Sequence, residues 1–189
     1  VYEALLLYFA LTVFQFLDGT VIRDGVEGLW ERLRRALPPA QQPRLADFER
    51  KFFSVPHAVK DYRDCDEILD QAIRAVVFQH RLRIDYRGLL GEGKTHDFDA
   101  YTLTMYRGGL YLIGYSHLRR KILWLAIERI RGLETLPQRF DYPKRYSPQK
   151  HTEGIFGIVD GAVTQVELLL LSDKTVAYLA SRKLHPTQK

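Results

Sequence analysis

The periodicity of the apolar residues changes near residue 80, and this change limits the fold classes that the chain can adopt. Before it, apolar residues recur every three or four positions, as they do on one face of a helix. After it, they alternate with polar residues: Leu82, Ile84 and Tyr86 fall on one side of residues 81–87, and charged residues fall on the other. A chain with helices first and strands second is typical of the α+β class.

The first part of the chain predicts mainly helices. One helix is predicted over residues 1–17, before Asp18-Gly19, and a second over residues 25–37, before two prolines. A further helix starts near Asp64, which could cap it. A short amphipathic piece lies between them, with Leu45, Phe48 and Phe52 on one side. The apolar run 4–17 is shorter than the roughly 20 residues that span a bilayer. We therefore expect a buried helix there and no membrane partner.

The second part predicts short strands joined by tight turns. They cover residues 81–87, 95–106, 110–115 and 121–130, and the last is apolar on both faces, as in a strand that is covered on both sides. Gly108-Gly109 is a good hairpin signal, and the glycines of 88–93 indicate a loop. This pattern favours a small barrel.

The C-terminal part predicts a linker and an incomplete second unit. Residues 138–157 are rich in aromatic residues and prolines, residues 163–171 form an apolar strand, and a helix follows from Asp173, its expected cap. One strand and one helix cannot bury a core. We divide the chain into a helical connector (1–63), a barrel with its lead-in helix (64–137), a linker (138–157) and the start of an extension (158–189).

Residues 73–136 resemble the WYL domain, a small Sm-like barrel of bacterial transcription regulators. Asp85-Tyr86 ends the first strand as in the family. Leu110-Tyr111-Leu112 stands where the family has Trp-Tyr-Leu, and Glu128-Arg129-Ile130 stands where it has Asp-Arg-Ile. Residues 163–188, which include His185-Pro186, resemble the C-terminal extension of the family, and the helical first third resembles its connector.

The resemblance implies a helical connector, a small Sm-like or SH3-like β-barrel and a partial α/β extension. It also implies that the chain senses an effector in a cytoplasmic, DNA-binding transcription regulator and is not an enzyme. A winged helix-turn-helix before Val1 would bind duplex DNA. The richness of residues 1–37 in large apolar side chains predicts a homodimer.

Three positions depart from the family pattern. Leu110 replaces its Trp, Ala100 stands where a Pro is usual, and Leu123 stands where the strand often carries an Arg. Removing a guanidinium at position 123 would remove a bidentate contact to an anion.

Basic and aromatic residues after residue 110 indicate a ligand site. Formal net charge is +5, and Arg119, Arg120 and Lys121 follow the strand that ends in Tyr115. Aromatic rings among cations suit a nucleotide or a short single-stranded nucleic acid, because bases stack while cations neutralise phosphates. The alternative is a solvated turn with core tyrosines, and Tyr86 alternates with core residues. The candidate ligand-binding residues are Tyr86, Tyr111, Tyr115, His117, Arg119, Arg120, Arg129 and Arg131.

The sequence does not predict a catalytic, metal or cofactor site. It has no nucleophile elbow and no phosphate-binding Gly-rich motif, and Cys65 is its single cysteine. His96 falls on the opposite face of its strand from Asp97 and Asp99, which argues against a metal site. Two other functions stay open: a protein–protein module that uses its barrel edges, and a nuclease-like enzyme with clustered carboxylates and a divalent metal.

Overall fold

A computed structural model describes residues 2–42, 60–88, 93–152, 165 and 167–180. Contacts divide the chain into two units, Val1–Asp141 and Tyr142–Lys189. Helices come first and a five-stranded antiparallel sheet follows, so the α+β class is confirmed. Three predictions lie wholly or partly outside the described residues: the piece with Leu45, Phe48 and Phe52, positions 163, 164 and 166 of the strand 163–171, and the His185-Pro186 ending.

Three helices precede the sheet: α1 (Tyr2–Val13), α2 (Val21–Ala36) and α3 (Asp66–Phe78). α1 ends earlier than expected, because a 3-10 turn (Gln15–Leu17) continues the chain to Asp18. Thr20 caps α2, with its hydroxyl accepting a hydrogen bond from the Arg23 amide. No helix of the described residues is long and apolar enough to cross a membrane.

Asp64 does not cap α3, contrary to the sequence-based expectation. It lies within a 3-10 turn (Arg63–Cys65), and Cys65 takes the capping position without a side-chain hydrogen bond. The carboxylate of Asp66 accepts a hydrogen bond from the Val21 amide instead. One carboxylate therefore ties the start of α3 to the start of α2, where a backbone N–H of the first helical turn has no partner within the helix.

The sheet contains β1 (His80–Arg87), β2 (Gly93–Tyr106), β3 (Gly109–Ser116), β4 (Lys121–Ala126) and β5 (Ile130–Arg139). Their order is β4-β3-β2-β1-β5. The predicted strand 121–130 is interrupted, because a 3-10 turn (Ile127–Arg129) ends β4 and leads directly into β5. This turn joins the two edge strands of the sheet.

The sheet is strongly bent but is not closed into a barrel. β2 pairs with β1 through its first half and with β3 through its second half, and its register shifts between Ala100 and Thr102. In a flat sheet, the ends of β4 and β5 would lie level with Thr104 and Lys94, roughly 30 Å apart along β2 at ~3.3 Å per residue. The short turn between β4 and β5 spans at most about 14 Å. The sheet must therefore curl until its edges approach each other.

The core lies where α3 packs against one face of this sheet. Leu82 and Ile84 are fully buried, as the alternation predicts, and Tyr86 packs partly buried beside them. Leu69 of α3 and Phe98 of β2 are also fully buried in this cluster. A smaller cluster joins α1 to α2, with Ala4 packed among Tyr8, Trp30, Leu33 and Leu37.

The second unit has two helices in its described part, α4 (Pro148–Thr152) and α5 (Asp173–Ala180). Asp173 lies in the first turn of α5, where a carboxylate is favourable. The described residues of the predicted strand 163–171 have no regular structure, and Leu169 and Leu171 are almost fully exposed. The expected strand is therefore absent from residues 165 and 167–171.

Candidate functional site

The structure separates the eight predicted ligand-binding residues into two groups at opposite ends of β4. The hairpin group, at the turn between β3 and β4, contains Tyr115, His117, Arg119 and Arg120. The edge group, around the 3-10 turn that joins β4 to β5, contains Tyr86, Tyr111, Arg129 and Arg131. The six residues of β4 span about 17 Å, and Tyr111 and Tyr115, one from each group, are about 13 Å apart along β3.

A tight turn presents the two arginines of the hairpin group. The Arg119 amide donates to the Ser116 hydroxyl (3.2 Å), and the Arg120 amide donates to the Ser116 carbonyl (2.7 Å). Both arginine side chains are exposed, and neither forms an ion pair within the described residues. Arg120 has a φ of 53°, in the left-handed region that glycine or asparagine usually occupies.

His117 is held by the buried carboxylate of Asp99. His117 Nε2 lies 2.9 Å from Asp99 Oδ2, and Arg81 Nε donates to Asp99 Oδ1 at 2.7 Å. The hydrogen bond to Asp99 raises the pKa of Arg81. His117 also packs edge-on against Tyr115, with the ring centroids 5.2 Å apart. Asp99 therefore orients the ring of His117, and sequence reasoning missed this role because Asp99 lies on a different strand.

His96 lies on the opposite side of β2 from this carboxylate, as strand alternation predicts. Its ring packs edge-on against the ring of Phe98, with the centroids 6.2 Å apart. His96 pairs across the strands with buried Ile84 of β1. Burial lowers the pKa of His96, and the nearby positive charges of Arg119 and His117 lower it further. Within the described residues, no group of three His, Cys, Asp or Glu side chains is placed to hold a metal ion.

In the edge group, Arg129 covers the ring of Tyr86. The guanidinium carbon lies 5.1 Å from the ring centroid, which is a cation–π distance. The guanidinium also donates to the Arg87 carbonyl at 3.0 and 2.7 Å. Arg129 thus bonds a neutral carbonyl, and no carboxylate of the described residues neutralises it.

Tyr86 belongs to the edge group and also forms a hydrogen bond with the backbone of β4. Its hydroxyl accepts a hydrogen bond from the Ala126 amide at 3.2 Å, and burial raises its pKa. Arg129 belongs to the 3-10 turn, not to a strand as expected, and Arg131 is an exposed residue of β5. The hydrogen bond from Ala126 means that Tyr86 fixes the end of β4.

Tyr111 connects the edge group to the segment before α3. Its ring is largely buried, 6.0 Å from the ring of Trp124 and 5.3 Å from the ammonium of Lys60. Lys60 in turn pairs with Glu128, which precedes Arg129 in the 3-10 turn. Sequence reasoning missed Lys60 because its partner lies 68 positions away.

Tyr62 fixes the same segment to the start of β3. It is fully buried, and its hydroxyl accepts a hydrogen bond from the Leu110 amide at 2.7 Å. Burial raises the pKa of Tyr62 to about 12. Lys60 and Tyr62 together dock the end of the connector on the sheet.

A comparison against family models covers the segment that runs from α3 to β5. Residues 67–135 match the model of the WYL domain. The chain contains a WYL domain. No protein among the curated ones matches the chain.

Fourteen chains of solved structures match this one. Among them is the proteasome accessory factor B/C (PafBC) of Arthrobacter aurescens, with 18% sequence identity and a TM-score of 0.40. The match covers 43% of this chain and 13% of that one, so this chain corresponds to a small part of its length.

The departures of this WYL domain from the family pattern all lie at packed positions. Leu110 is buried, and Leu123 is partly buried against the core. Ala100 is fully buried beside the register shift of β2. Leu123 therefore contributes apolar packing where an arginine would contribute charge.

Proposed function

We propose that this chain is the effector-sensing region of a bacterial, cytoplasmic, DNA-binding transcription regulator and that it has no enzymatic activity. Its WYL domain would bind a short single-stranded nucleic acid. A winged helix-turn-helix of the same protein would bind duplex DNA. The match to the WYL domain and the arrangement of the unneutralised arginines support this proposal.

The hairpin group is the main support for the proposal. Its two arginines are exposed, and one of them, Arg120, has a strained backbone conformation. A non-glycine residue in the left-handed region costs roughly 1–2 kcal/mol relative to the right-handed one. Arg120 adopts this conformation in an exposed turn, and its charge has no ion-pair partner in the described part of the chain. Strain of this kind often marks a functional position. An anionic ligand would account for keeping two adjacent, unneutralised guanidinium groups there.

The separation of the two groups indicates the length of the ligand. A single nucleotide is too short for its phosphate to contact both the hairpin group and the edge group across the ~17 Å of β4. A strand of several nucleotides can place phosphates at both groups. Tyr115, which is partly exposed beside His117, offers a ring on which a base could stack.

Binding of labelled oligothymidylate at two salt concentrations tests the proposal. We expect affinity to fall by about 0.7 log units per contacted phosphate for each decade of salt. The double change Arg119→Ala and Arg120→Ala should weaken binding and flatten this dependence. Thymidine monophosphate should bind much more weakly than the oligonucleotide, because it cannot reach both groups.

The matched control removes the same charge elsewhere. Arg32 and Arg35 are exposed on α2, in the helical region before the sheet, and their double change to Ala should leave binding almost intact. If both double variants weaken binding equally, the interaction is nonspecific attraction of the oligonucleotide by a basic protein, and the proposal is contradicted.

A second candidate function is a homodimerisation module, favoured by an apolar stripe on α1. Leu6, Phe9 and Val13 recur at helical spacing, and each is about half exposed. Leu29 of α2 is exposed to the same degree. A symmetric pair of chains is the commonest way to cover such a stripe. The two candidate functions are compatible, because α1 is separate in the chain from both arginine groups.

A further inference from the structure

Lys60 is the residue through which the connector meets the edge group. Its ammonium pairs with Glu128 of the 3-10 turn and lies 5.3 Å from the ring centroid of Tyr111. Burial alone would lower the pKa of Lys60, but the hydrogen bond and the charge of Glu128 outweigh it and raise the pKa. Lys60 is therefore a cation at neutral pH, held between a carboxylate and an aromatic ring.

The pair of Lys60 and Glu128 is open to exchange with another anion. The Lys60 side chain is 38% exposed, so an external anion can reach its ammonium. Ion pairs that water can reach contribute little to stability, because water competes for both charges. The second carboxylate oxygen of Glu128, Oε2, is buried and has no hydrogen-bond partner within the described residues. The ion pair with Lys60 therefore satisfies only one of the two carboxylate oxygens of Glu128.

We propose that Lys60 is a ligand contact carried by the connector. A phosphate of the bound single strand, entering beside Tyr111, replaces Glu128 as the partner of the Lys60 ammonium. Among the described residues, the connector then loses its ion pair with the 3-10 turn and keeps the hydrogen bond between Tyr62 and the Leu110 amide. This inference rests on the proposed nucleic-acid binding and adds how binding reaches the connector.

The neighbours of Lys60 fit a phosphate better than they fit a neutral ligand. Arg129 follows Glu128 directly, and its guanidinium is bonded to a carbonyl and a ring without a neutralising carboxylate in the described residues. Lys60 and Arg129 each lie over a tyrosine, Tyr111 and Tyr86 respectively. A strand that crosses the 3-10 turn would meet both cations on these rings.

Charge changes at the pair test the competition. Glu128→Gln keeps the shape of the side chain and frees the Lys60 ammonium, so oligothymidylate should bind about 2- to 5-fold more tightly at low salt, the range expected for a partly exposed ion pair. Lys60→Met should weaken binding by a similar factor. The double variant should bind like Lys60→Met, because the gain from Glu128→Gln requires Lys60.

Amide hydrogen exchange tests the release of the connector. The Leu110 amide donates to Tyr62, so its exchange rate reports whether the connector is docked. Saturating oligothymidylate should speed exchange at Leu110 several-fold and leave the amide of Leu112, at the centre of β3, unchanged. The Lys60→Met variant should show the faster Leu110 exchange without any ligand.

The outcomes separate this inference from the proposed function. If the wild-type chain binds oligothymidylate but Glu128→Gln does not tighten binding, or if Leu110 exchange does not respond to the ligand, Lys60 is only a structural residue and the inference is overturned. If the wild-type chain does not bind, the proposed function fails and the inference fails with it. Should Lys60→Met not fold, the Glu128→Gln titration and the wild-type exchange experiment decide the matter.

Discussion

At the scale of single residues, arginines have different roles according to whether a carboxylate lies beside them. Arg81 is bound to the buried carboxylate of Asp99, whereas Arg119 and Arg120 lie in water without an ion pair in the described residues. His117 is the predicted ligand residue that shares this carboxylate. Its ring is therefore already bound to a carboxylate of the chain, unlike the two arginines beside it.

Asp99→Asn should destabilise the domain. The carboxylate is 8% exposed and accepts hydrogen bonds from Arg81, so its neutralisation leaves a partly buried guanidinium without a counter-charge. We expect a loss of roughly 2–3 kcal/mol in the free energy of unfolding, measured by urea denaturation. Asp97→Asn is the control: its pair with Arg83 is exposed on the same face of β2 and should cost under about 1 kcal/mol. Equal losses would show that Asp99 has no special role.

Arg120→Gly should separate stability from binding. Glycine adopts the left-handed conformation without strain, so the variant should be as stable as the wild type or more stable by up to about 1 kcal/mol. Oligothymidylate binding should nevertheless weaken, because one guanidinium is lost. Thermal unfolding and the binding titration check the two effects. A stable variant with unchanged affinity would argue that Arg120 does not contact the ligand.

At the scale of elements, the bend of β2 determines the shape of the domain. β2 exchanges partners from β1 to β3 at its centre, where its register shifts. Gly114 of β3 lies against this bend: a Cβ at that position would lie 2.1 Å from the Asp99 carbonyl oxygen. The close approach of the two strands therefore depends on the absence of a side chain.

Gly114→Ala should disrupt this approach. The added methyl group meets backbone atoms that cannot rotate away, so we expect a loss of more than about 3 kcal/mol in the free energy of unfolding. Gly132→Ala on β5 is the control, because a Cβ there would lie 3.8 Å from Asp85 Cβ, an ordinary contact. Denaturant unfolding of the two variants gives the comparison. A mild effect at Gly114 would mean that β2 and β3 can separate without loss of the fold.

At the scale of the whole molecule, α1 and α2 carry large apolar side chains that are about half exposed. α1 carries a single acidic residue in its first turn and no basic residue in its last, so charge repulsion does not oppose its pairing with a second copy. The small cluster around Ala4 shows that one side of α1 is already packed on α2. The stripe of Leu6, Phe9 and Val13 remains exposed.

A charge in this stripe should dissociate the proposed homodimer. Phe9→Glu places a carboxylate in the centre of the stripe, where its burial would be costly. Sedimentation equilibrium at micromolar concentration should show dimers for the wild type and monomers for the variant, with unchanged helical circular dichroism. Glu3→Lys, beside the stripe, is a control for charge at the surface of α1 and should leave the dimer intact. A monomeric wild type would exclude a dimer through α1.

Local patterns in the sequence were enough to predict the class of the fold and most of its elements. The change of period near residue 80 marks the passage from α3 to β1, and alternation identifies Leu82 and Ile84 as core residues. These features follow from the geometry of the local backbone, since a side chain's face depends only on its neighbours in the chain. The glycine pair also marks the hairpin between β2 and β3, although the residues with positive φ are Arg107 and Gly108.

Only the tertiary structure decided which charges meet and how far the sheet closes. Lys60 and Glu128 are 68 positions apart, and Asp99 of β2 joins Arg81 of β1 to His117 in the turn after β3. The single predicted strand 121–130 became two strands, because Ile127 turns into the core and the chain crosses from one sheet edge to the other. That crossing also divided the predicted site into two groups. Such contacts depend on the bend of β2, which brings distant residues together and which no local pattern specifies.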